Sequence, residues 1–315
     1  MGRNVNSPTV VIRSFASKLL KGKYLEQLRY TLHGRRILGL QAGHDSIADS
    51  LRTATPAAAG KIGDVEMEGI VKIRFQPGGE TDDTRWRGDK ERLYVNAGIF
   101  PPTPEAFRAF AVPYLAGLRE ITHMGVWFNK GEERITRECC PSAKLMGIRA
   151  TEPYYFPNPW SSLLAGKRVL IATCFPKTIA RQYERRASIW RDGRNVLPEF
   201  QPQFIPVPPH AHLLKEPVYP DWQTGLKVMQ DKISAATFDV LLVGAGGWSI
   251  PLAAHAKRLG KIGIHMGGGL QVLFGIKGHR WQGHELSGYW NDAWVHPLAE
   301  ETPENTGSME RGAYW

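Results

Sequence analysis

The sequence predicts an α/β fold of Rossmann-like type, in which helices cover both faces of a parallel sheet. Three short apolar runs carry this prediction, over Lys167–Thr173, Phe238–Val243 and Ile262–His265. Continuous apolar runs of this length are typical of parallel strands that are buried on both faces. A short loop and a segment of helical character follow each run, and strands alternating with helices indicate a parallel sheet.

Helices are predicted between and after these strands, over Thr178–Trp190, Gln223–Ala235 and Leu270–Lys277. A further helix follows the second strand. We expect Ser249 to cap its start, Pro251 to lie in its first turn and Gly260 to end it, because these residue types favour those positions. The Pro-rich stretch Leu197–Pro220 has no strand or helix signal.

The first half of the chain gives weaker signals. A helix is predicted over Pro104–Leu118, with Thr103 as its N-cap and Glu105 in its first turn. A short helix over Asp45–Leu51 and a strand over Met124–Phe128 are also expected.

Residues 1–40 are predicted to form a basic helical arm, and residues 41–315 a single α/β domain. Ser14–Leu32 is weakly amphipathic, with lysines and arginines among its apolar residues, and Gly22 interrupts it. Such a segment could lie on a membrane surface. Packing against the domain is the interpretation that we favour.

Composition narrows the classes of function. The net charge of +10 favours anionic partners, but the basic residues are scattered and no nucleic-acid-binding module is recognisable, so we expect no nucleic acid as partner. The three cysteines form neither a disulfide framework nor a zinc pattern, which indicates a reducing cytoplasm. No apolar run is long enough to cross a bilayer, so we expect a cytoplasmic protein that could contact the inner face of the membrane.

Two glycine-rich loops follow neighbouring predicted strands and are the first candidate for a binding site. The candidate residues of these loops are Gly244, Gly246, Gly247, Trp248, Ser249, Gly267 and Gly268. Glycine lets the backbone approach a ligand, and the free N–H groups of a helix start favour phosphate. Ligands of parallel sheets bind at the carboxyl ends of the strands, so the two loops predict a nucleotide site.

Known loop motifs do not fit this site. A dinucleotide site needs an acidic residue about 20 residues after the first glycine, where this chain has Ile264, His265 and Met266. The hydrolase elbow needs glycine where Pro251 stands. His210 and His212 resemble half of a metal site, but we expect no metal there without a third ligand. His265, beside the second loop, is either a catalytic group or a core histidine.

Asp64 and Glu66 are the candidate metal ligands. Two carboxylates one residue apart can hold a divalent cation that bridges a diphosphate, because Mg²⁺ and Mn²⁺ prefer oxygen ligands. Such a pair is common on solvated surfaces, so the pattern by itself is weak. Lys61 lies beside the two acids and is a candidate for contact with phosphate.

Several segments are similar to one family. The run from Gly60 to Glu66 (GKIGDVE) resembles the R-x-G-D-G-E segment of the GT-D-type glycosyltransferases. The runs GKRVLIATCFPKTIARQYERR and LLVGAGGWSIPLAAHAKRLGKIGIHMGGGLQVLFGIKGHRW and the ending MERGAYW resemble bacterial proteins assigned to that fold. The similarity extends from about Ile47 to Trp315 and implies a GT-D-like fold. Val65 replaces a glycine of the family motif.

The resemblance implies a metal-dependent glycosyltransferase that moves a sugar from a nucleotide-sugar, such as a UDP-sugar, to a glycan or glycosylated acceptor. It assigns the metal and the diphosphate to Asp64, Gly63 and Glu66, with Mn²⁺ or Mg²⁺ as the cofactor. His265 joins the two acids as a candidate catalytic group. The alternative is a nucleotide-binding subunit without catalysis in a polysaccharide-synthesis system.

Overall fold

A computed structural model describes residues 22–75 and 89–315. Its centre is one eight-stranded sheet in which every pair of neighbouring strands is parallel, in the order β1-β4-β3-β2-β8-β7-β5-β6. The strands are β1 (Ile37–Leu38), β2 (Ala57–Lys61), β3 (His123–Val126), β4 (Lys144–Gly147), β5 (Arg168–Thr173), β6 (Gln201–Pro206), β7 (Val240–Gly244) and β8 (Ile262–His265). The predicted α/β fold is confirmed.

Ten helices accompany the sheet in the part of the chain that the structure describes. They are α1 (residues 22–32), α2 (Leu40–Thr53), α3 (Asp64–Phe75), α4 (Asp89–Val95), α5 (Pro104–Glu120), α6 (Glu132–Cys139), α7 (Pro176–Glu184), α8 (Trp222–Ala235), α9 (Ser249–Arg258) and α10 (Gly269–Leu273). Short 3₁₀ turns fill much of the C-terminal region. The predicted cap of α5 is present, because the Thr103 side chain accepts a hydrogen bond from the Ala106 N–H.

Two apolar clusters cover the two faces of the sheet. Side chains of α3, α5, α8 and α9 pack on one face, and Phe107, Leu226 and Ile250 are among them. Side chains of α2, α7 and α10 pack on the other face, where Ile179 and Trp160 are fully buried. Helices on both faces explain why β5, β7 and β8 are predominantly apolar.

Four of the eight strands, β1, β2, β4 and β6, were not predicted, and two of them have a clear physical reason. β2 reads AAAGK and is entirely buried, but alanine and glycine disfavour strands, so the pattern is silent. Small residues fit because the sheet is crowded there: a Cβ on Gly60 would lie 2.9 Å from Ile250. β6 contains Pro202 and Pro206, which an edge strand tolerates.

The described part of the N-terminal arm packs on the domain. Tyr30 belongs to one of the two apolar clusters, and the buried Glu26 carboxylate accepts a hydrogen bond from the Glu133 N–H. β1 adds Ile37 and Leu38 to the edge of the sheet, so the chain joins the domain before residue 41. Residues 1–21, which include the first part of the predicted amphipathic segment, lie outside the described residues. None of the helices in residues 22–75 and 89–315 has the length and apolar character that a membrane span requires.

Candidate functional site

A cleft of about 240 Å³ opens at the carboxyl ends of the central strands. The loops that follow β2, β5, β6, β7 and β8 all line it. The chain leaves β2 and β7 towards the face covered by α3 and α9, and it leaves β8, which lies between them, towards the face covered by α10. Loops that diverge in this way leave a crevice, which is where parallel sheets bind ligands.

The loop after β7 lies in this cleft and is tightly packed. A Cβ on Gly247 would lie 2.8 Å from the Ala97 carbonyl oxygen, to which the Gly247 N–H donates a hydrogen bond. Gly246 has a φ of +53° and lies beside His210. A Cβ on Gly244 would lie 3.0 Å from the Gly267 carbonyl oxygen. These glycines are therefore required for close contact between loops, and the Gly247 N–H already has a partner.

The loop after β8 faces the first loop. Gly267 has a φ of +56°, and its N–H donates to His265 Nδ1 at 3.2 Å. Gly268 is covered by aromatic side chains, since a Cβ there would lie 3.1 Å from Tyr314 and 3.2 Å from Trp281. Both glycines line the cleft.

The expected cap by Ser249 is wrong. Ser249 is the first residue of α9 and is fully buried, and its Oγ accepts a hydrogen bond from the Ala245 N–H. The hydroxyl therefore stabilises the turn before the helix and lies below the cleft surface. Trp248 does line the cleft, and its Nε1 donates to the Trp222 carbonyl oxygen at 3.0 Å.

Asp64 and Glu66 open into the same cleft from the first turn of α3. The Asp64 side chain is 62% exposed and lies 3.4 Å from the Arg92 guanidinium, which also pairs with Glu68. The Glu66 side chain folds back over Gly63. Burial and, to a smaller extent, the nearby carboxylates of Asp64 and Glu310 raise the pKa of Glu66 to about 7.

These acids fit a cation only if a ligand completes its coordination. No three His, Cys, Asp or Glu side chains within residues 22–75 and 89–315 are grouped closely enough to hold a metal ion. Asp64 and Glu66 supply two hard oxygen ligands, and Mg²⁺ commonly binds one or two carboxylates together with substrate phosphates. A cation would also relieve the repulsion that Asp64 exerts on Glu66.

Lys61 supplies positive charge at the end of β2. Its Nζ lies 3.2 Å from Glu152 Oε1, and both side chains are largely buried. The ammonium group also lies 5.4 Å from the centroid of the Trp127 ring. Held by a carboxylate on one side and an aromatic face on the other, Lys61 has a fixed direction beside the two acids.

The histidines of the cleft are neutral. Burial and, to a smaller extent, the charge of Lys61 lower the pKa of His265 to about 3. Burial likewise lowers the pKa of His210 to about 4, and its Nδ1 lies 2.9 Å from the Val95 carbonyl oxygen. His212 lies near His210, with 6.0 Å between the ring centroids. The neutral ring of His265 is a weak base and can form a hydrogen bond to a ligand.

One wall of the cleft was not predicted from the sequence. The C-terminal segment from Met309 to Trp315 returns to the cleft beside Arg280, and Glu310 and Tyr314 line it. Arg280 Nη1 donates to the Tyr314 hydroxyl at 3.0 Å, and Nη2 lies 3.1 Å from Glu310 Oε2. Spacing carries no signal for these contacts, because 30 residues separate Arg280 from Glu310.

The cleft has a polar end and an apolar end. Lys61, Asp64 and Glu66 follow β2, whereas Phe175 follows β5 and Val207 follows β6, at the other side of the sheet. A ligand that fills the cleft can therefore place a charged or polar part at one end and an apolar or aromatic part at the other. No protein-family model, curated protein or solved structure matches this chain.

Proposed function

We propose that the protein is a glycosyltransferase that uses a nucleotide-sugar donor, with a UDP-sugar as the first donor to test. One observation carries the proposal: Asp64 and Glu66 line the same cleft as both glycine loops, at the carboxyl ends of parallel strands. A nucleoside diphosphate has an aromatic base that suits the apolar end, and a divalent cation would bridge its diphosphate to the two acids at the polar end.

The chain's own residues would bind and orient the donor. Lys61 and Arg280 are cations that can contact the diphosphate, and Arg280 can do so through two parallel hydrogen bonds. Asp64 and Glu66 would hold Mn²⁺ or Mg²⁺, which supplies charge neutralisation to the leaving diphosphate. In the transfer, the acceptor hydroxyl oxygen bonds to the anomeric carbon as the bond from that carbon to the diphosphate breaks, and the hydroxyl proton passes to water.

A second candidate is nucleotide binding without catalysis, in a subunit of a polysaccharide-synthesis system. Two observations favour it. Asp64 is paired with Arg92, and the raised pKa of Glu66 keeps much of this side chain protonated near pH 7, so both candidate metal ligands are partly engaged. A protein of this kind would bind the diphosphate and release nothing.

One screen separates the two candidates. The melting temperature of the full chain is measured with a panel of nucleoside diphosphates and nucleotide-sugars, each with and without Mn²⁺, and released nucleoside diphosphate is measured in parallel. Stabilisation that depends on Mn²⁺, together with release of the diphosphate, supports the transferase. Stabilisation without release supports the binding subunit, and no stabilisation by any nucleotide contradicts both.

A further inference from the structure

Arg280 lines the cleft, and its side chain is 40% exposed. A Cβ on Gly268 would lie 3.3 Å from its Nη1, so the guanidinium lies directly over the second glycine loop. The guanidinium also lies 4.9 Å from the Tyr314 ring centroid and 5.9 Å from that of Trp281. These two aromatic rings, together with the hydrogen bond from Nη1 to the Tyr314 hydroxyl, orient the N–H donors of the guanidinium.

The anion that Arg280 contacts in this structure comes from the protein itself. Glu310 Oε2 accepts a hydrogen bond from Arg280 Nη2. The backbone N–H of Arg280 also donates to the Ala313 carbonyl oxygen at 3.1 Å, so Arg280 binds both a side chain and the backbone of the C-terminal segment. Gln271 Nε2 donates to the Tyr314 carbonyl oxygen. The segment Met309–Trp315, which we call the C-terminal strap, thus covers Arg280 and part of the glycine loop.

Three features oppose this arrangement of the strap. Glu310 and Arg311 have φ values of +46° and +59°, a left-handed conformation that L side chains disfavour. Gln271 is 3% exposed and lines the cleft, yet its Oε1 has no hydrogen-bond partner. Glu310 also places a negative charge near Glu66. Moving Glu310 away would relieve the repulsion, and a ligand hydroxyl or N–H could satisfy Gln271.

We propose that Glu310 is a built-in substitute for an anionic ligand, and that the diphosphate of a bound ligand displaces it from Arg280. The identity of the ligand rests on the proposed function, whereas the exchange itself rests on the contacts of Arg280. A diphosphate carries more charge than a carboxylate and matches the guanidinium fork. The ligand therefore replaces Glu310 on the cation, and the strap moves as it enters.

The test measures the affinity of inorganic pyrophosphate for the full chain by calorimetry, without divalent metal so that Asp64 and Glu66 hold no cation. The variants are Glu310→Gln, Arg280→Gln and the double variant, with Glu304→Gln as the control because Glu304 is exposed and lies outside the cleft lining. Circular dichroism establishes that each variant is folded.

We expect Glu310→Gln to tighten pyrophosphate binding by about five- to tenfold and Arg280→Gln to weaken it by at least about tenfold. Glu310→Gln should have no effect in the Arg280→Gln background, which a merely structural role for Glu310 would not produce. Unchanged or weaker binding by Glu310→Gln overturns the proposal, as does the absence of pyrophosphate binding by both the wild type and Glu310→Gln.

A second measurement does not depend on any variant. Hydrogen exchange of the Met309–Trp315 amides should rise when pyrophosphate is added to the wild type, and unchanged or slower exchange would contradict displacement of the strap. The result is separable from the proposed function. If the protein turns over a nucleotide-sugar but Glu310→Gln does not change its affinity for pyrophosphate, the transferase proposal holds and the exchange is rejected. If Glu310→Gln tightens pyrophosphate binding but no nucleotide-sugar is turned over, the exchange holds and the transferase proposal is rejected.

Discussion

The carboxylate of Glu66 occupies the space that a side chain at Gly63 would need. A Cβ on Gly63 would overlap the Glu66 carboxylate. The glycine therefore determines where one of the two cleft acids points. The flexible end of Glu66 can move away, so the backbone does not depend on this contact.

Replacement of Gly63 by alanine should accordingly separate binding from stability. We expect Gly63→Ala to change the free energy of unfolding by less than about 1 kcal/mol, because only the end of a side chain must move. It should weaken Mn²⁺-dependent nucleotide binding by about tenfold, because Glu66 is displaced. Gly288→Ala is the matched control, since a Cβ there meets nothing within 4 Å. Binding that is unaffected by Gly63→Ala would mean that Glu66 is not a ligand.

The raised pKa of Glu66 makes stability depend on pH. An acid whose folded pKa lies near 7, against 4.5 when unfolded, binds its proton more tightly in the folded state, so stability falls as pH rises between those values. Glu66→Gln removes this loss. Relative to the wild type, the unfolding free energy of Glu66→Gln should therefore increase by about 2 kcal/mol between pH 4.5 and pH 8. This value is smaller than the full pKa shift would give, because the Glu66 side chain is partly exposed to solvent. A constant difference across that range would show that Glu66 titrates normally.

The same titration should govern metal-dependent binding. Mn²⁺ requires the carboxylate form of Glu66, so the affinity for a nucleotide in the presence of Mn²⁺ should rise with pH up to about 7 and then level off. Glu66→Gln should weaken Mn²⁺-dependent binding at every pH and remove most of this dependence. Calorimetry at several pH values checks it, and an affinity of the wild type that stays flat between pH 5 and 8 would contradict a role for Glu66 in holding the cation.

Variants of the Lys61–Glu152 ion pair can distinguish the contribution of Lys61 to ligand binding from its contribution to the stability of the fold. Lys61→Met should lower the free energy of unfolding by about 3 kcal/mol, because it leaves the largely buried Glu152 carboxylate without its cation. Adding Glu152→Gln should restore most of this stability. Neither variant should regain affinity for a diphosphate. Chemical unfolding and calorimetry test the two effects, and recovery of diphosphate affinity in the double variant would exclude Lys61 as a phosphate contact.

The loop after β7 should tolerate no side chain at Gly247. A Cβ there would lie 2.8 Å from the Ala97 carbonyl oxygen, a backbone atom that cannot turn aside. We expect Gly247→Ala to destabilise the fold by about 1–3 kcal/mol, measured by thermal unfolding with Gly288→Ala as control. Equal melting temperatures for the two variants would show that the loop is looser than the structure describes.

The sequence predicted the sheet best where burial is complete. β5, β7 and β8 are apolar runs because helices cover both of their faces. β2 gave no such signal, since close packing against Ile250 and His265 selects small residues there. The prolines of β6 argue against a strand in the sequence, but a strand at the edge of a sheet tolerates proline.

The cleft was predictable only in part. The glycine loops and the two acids follow parallel strands, and the carboxyl ends of such strands meet at one edge, so their proximity could be expected. The contact of Arg280 with Glu310 could not be predicted, because the C-terminal strap reaches the cleft through a tertiary path that leaves no periodic pattern. Ser249 resembles a helix cap in sequence, but a 3₁₀ turn over Gly246–Trp248 precedes α9 and places the hydroxyl inside.

The most direct test of the account is the release of nucleoside diphosphate from a UDP-sugar by Asp64→Asn. Asp64 lies in the first turn of α3 and lines the cleft, and Glu105, in the first turn of α5, is an exposed acid outside the cleft lining that serves as the control. We predict that Asp64→Asn lowers Mn²⁺-stimulated release by at least about 100-fold and that Glu105→Gln leaves it unchanged. Equal release by wild type and Asp64→Asn would contradict the account.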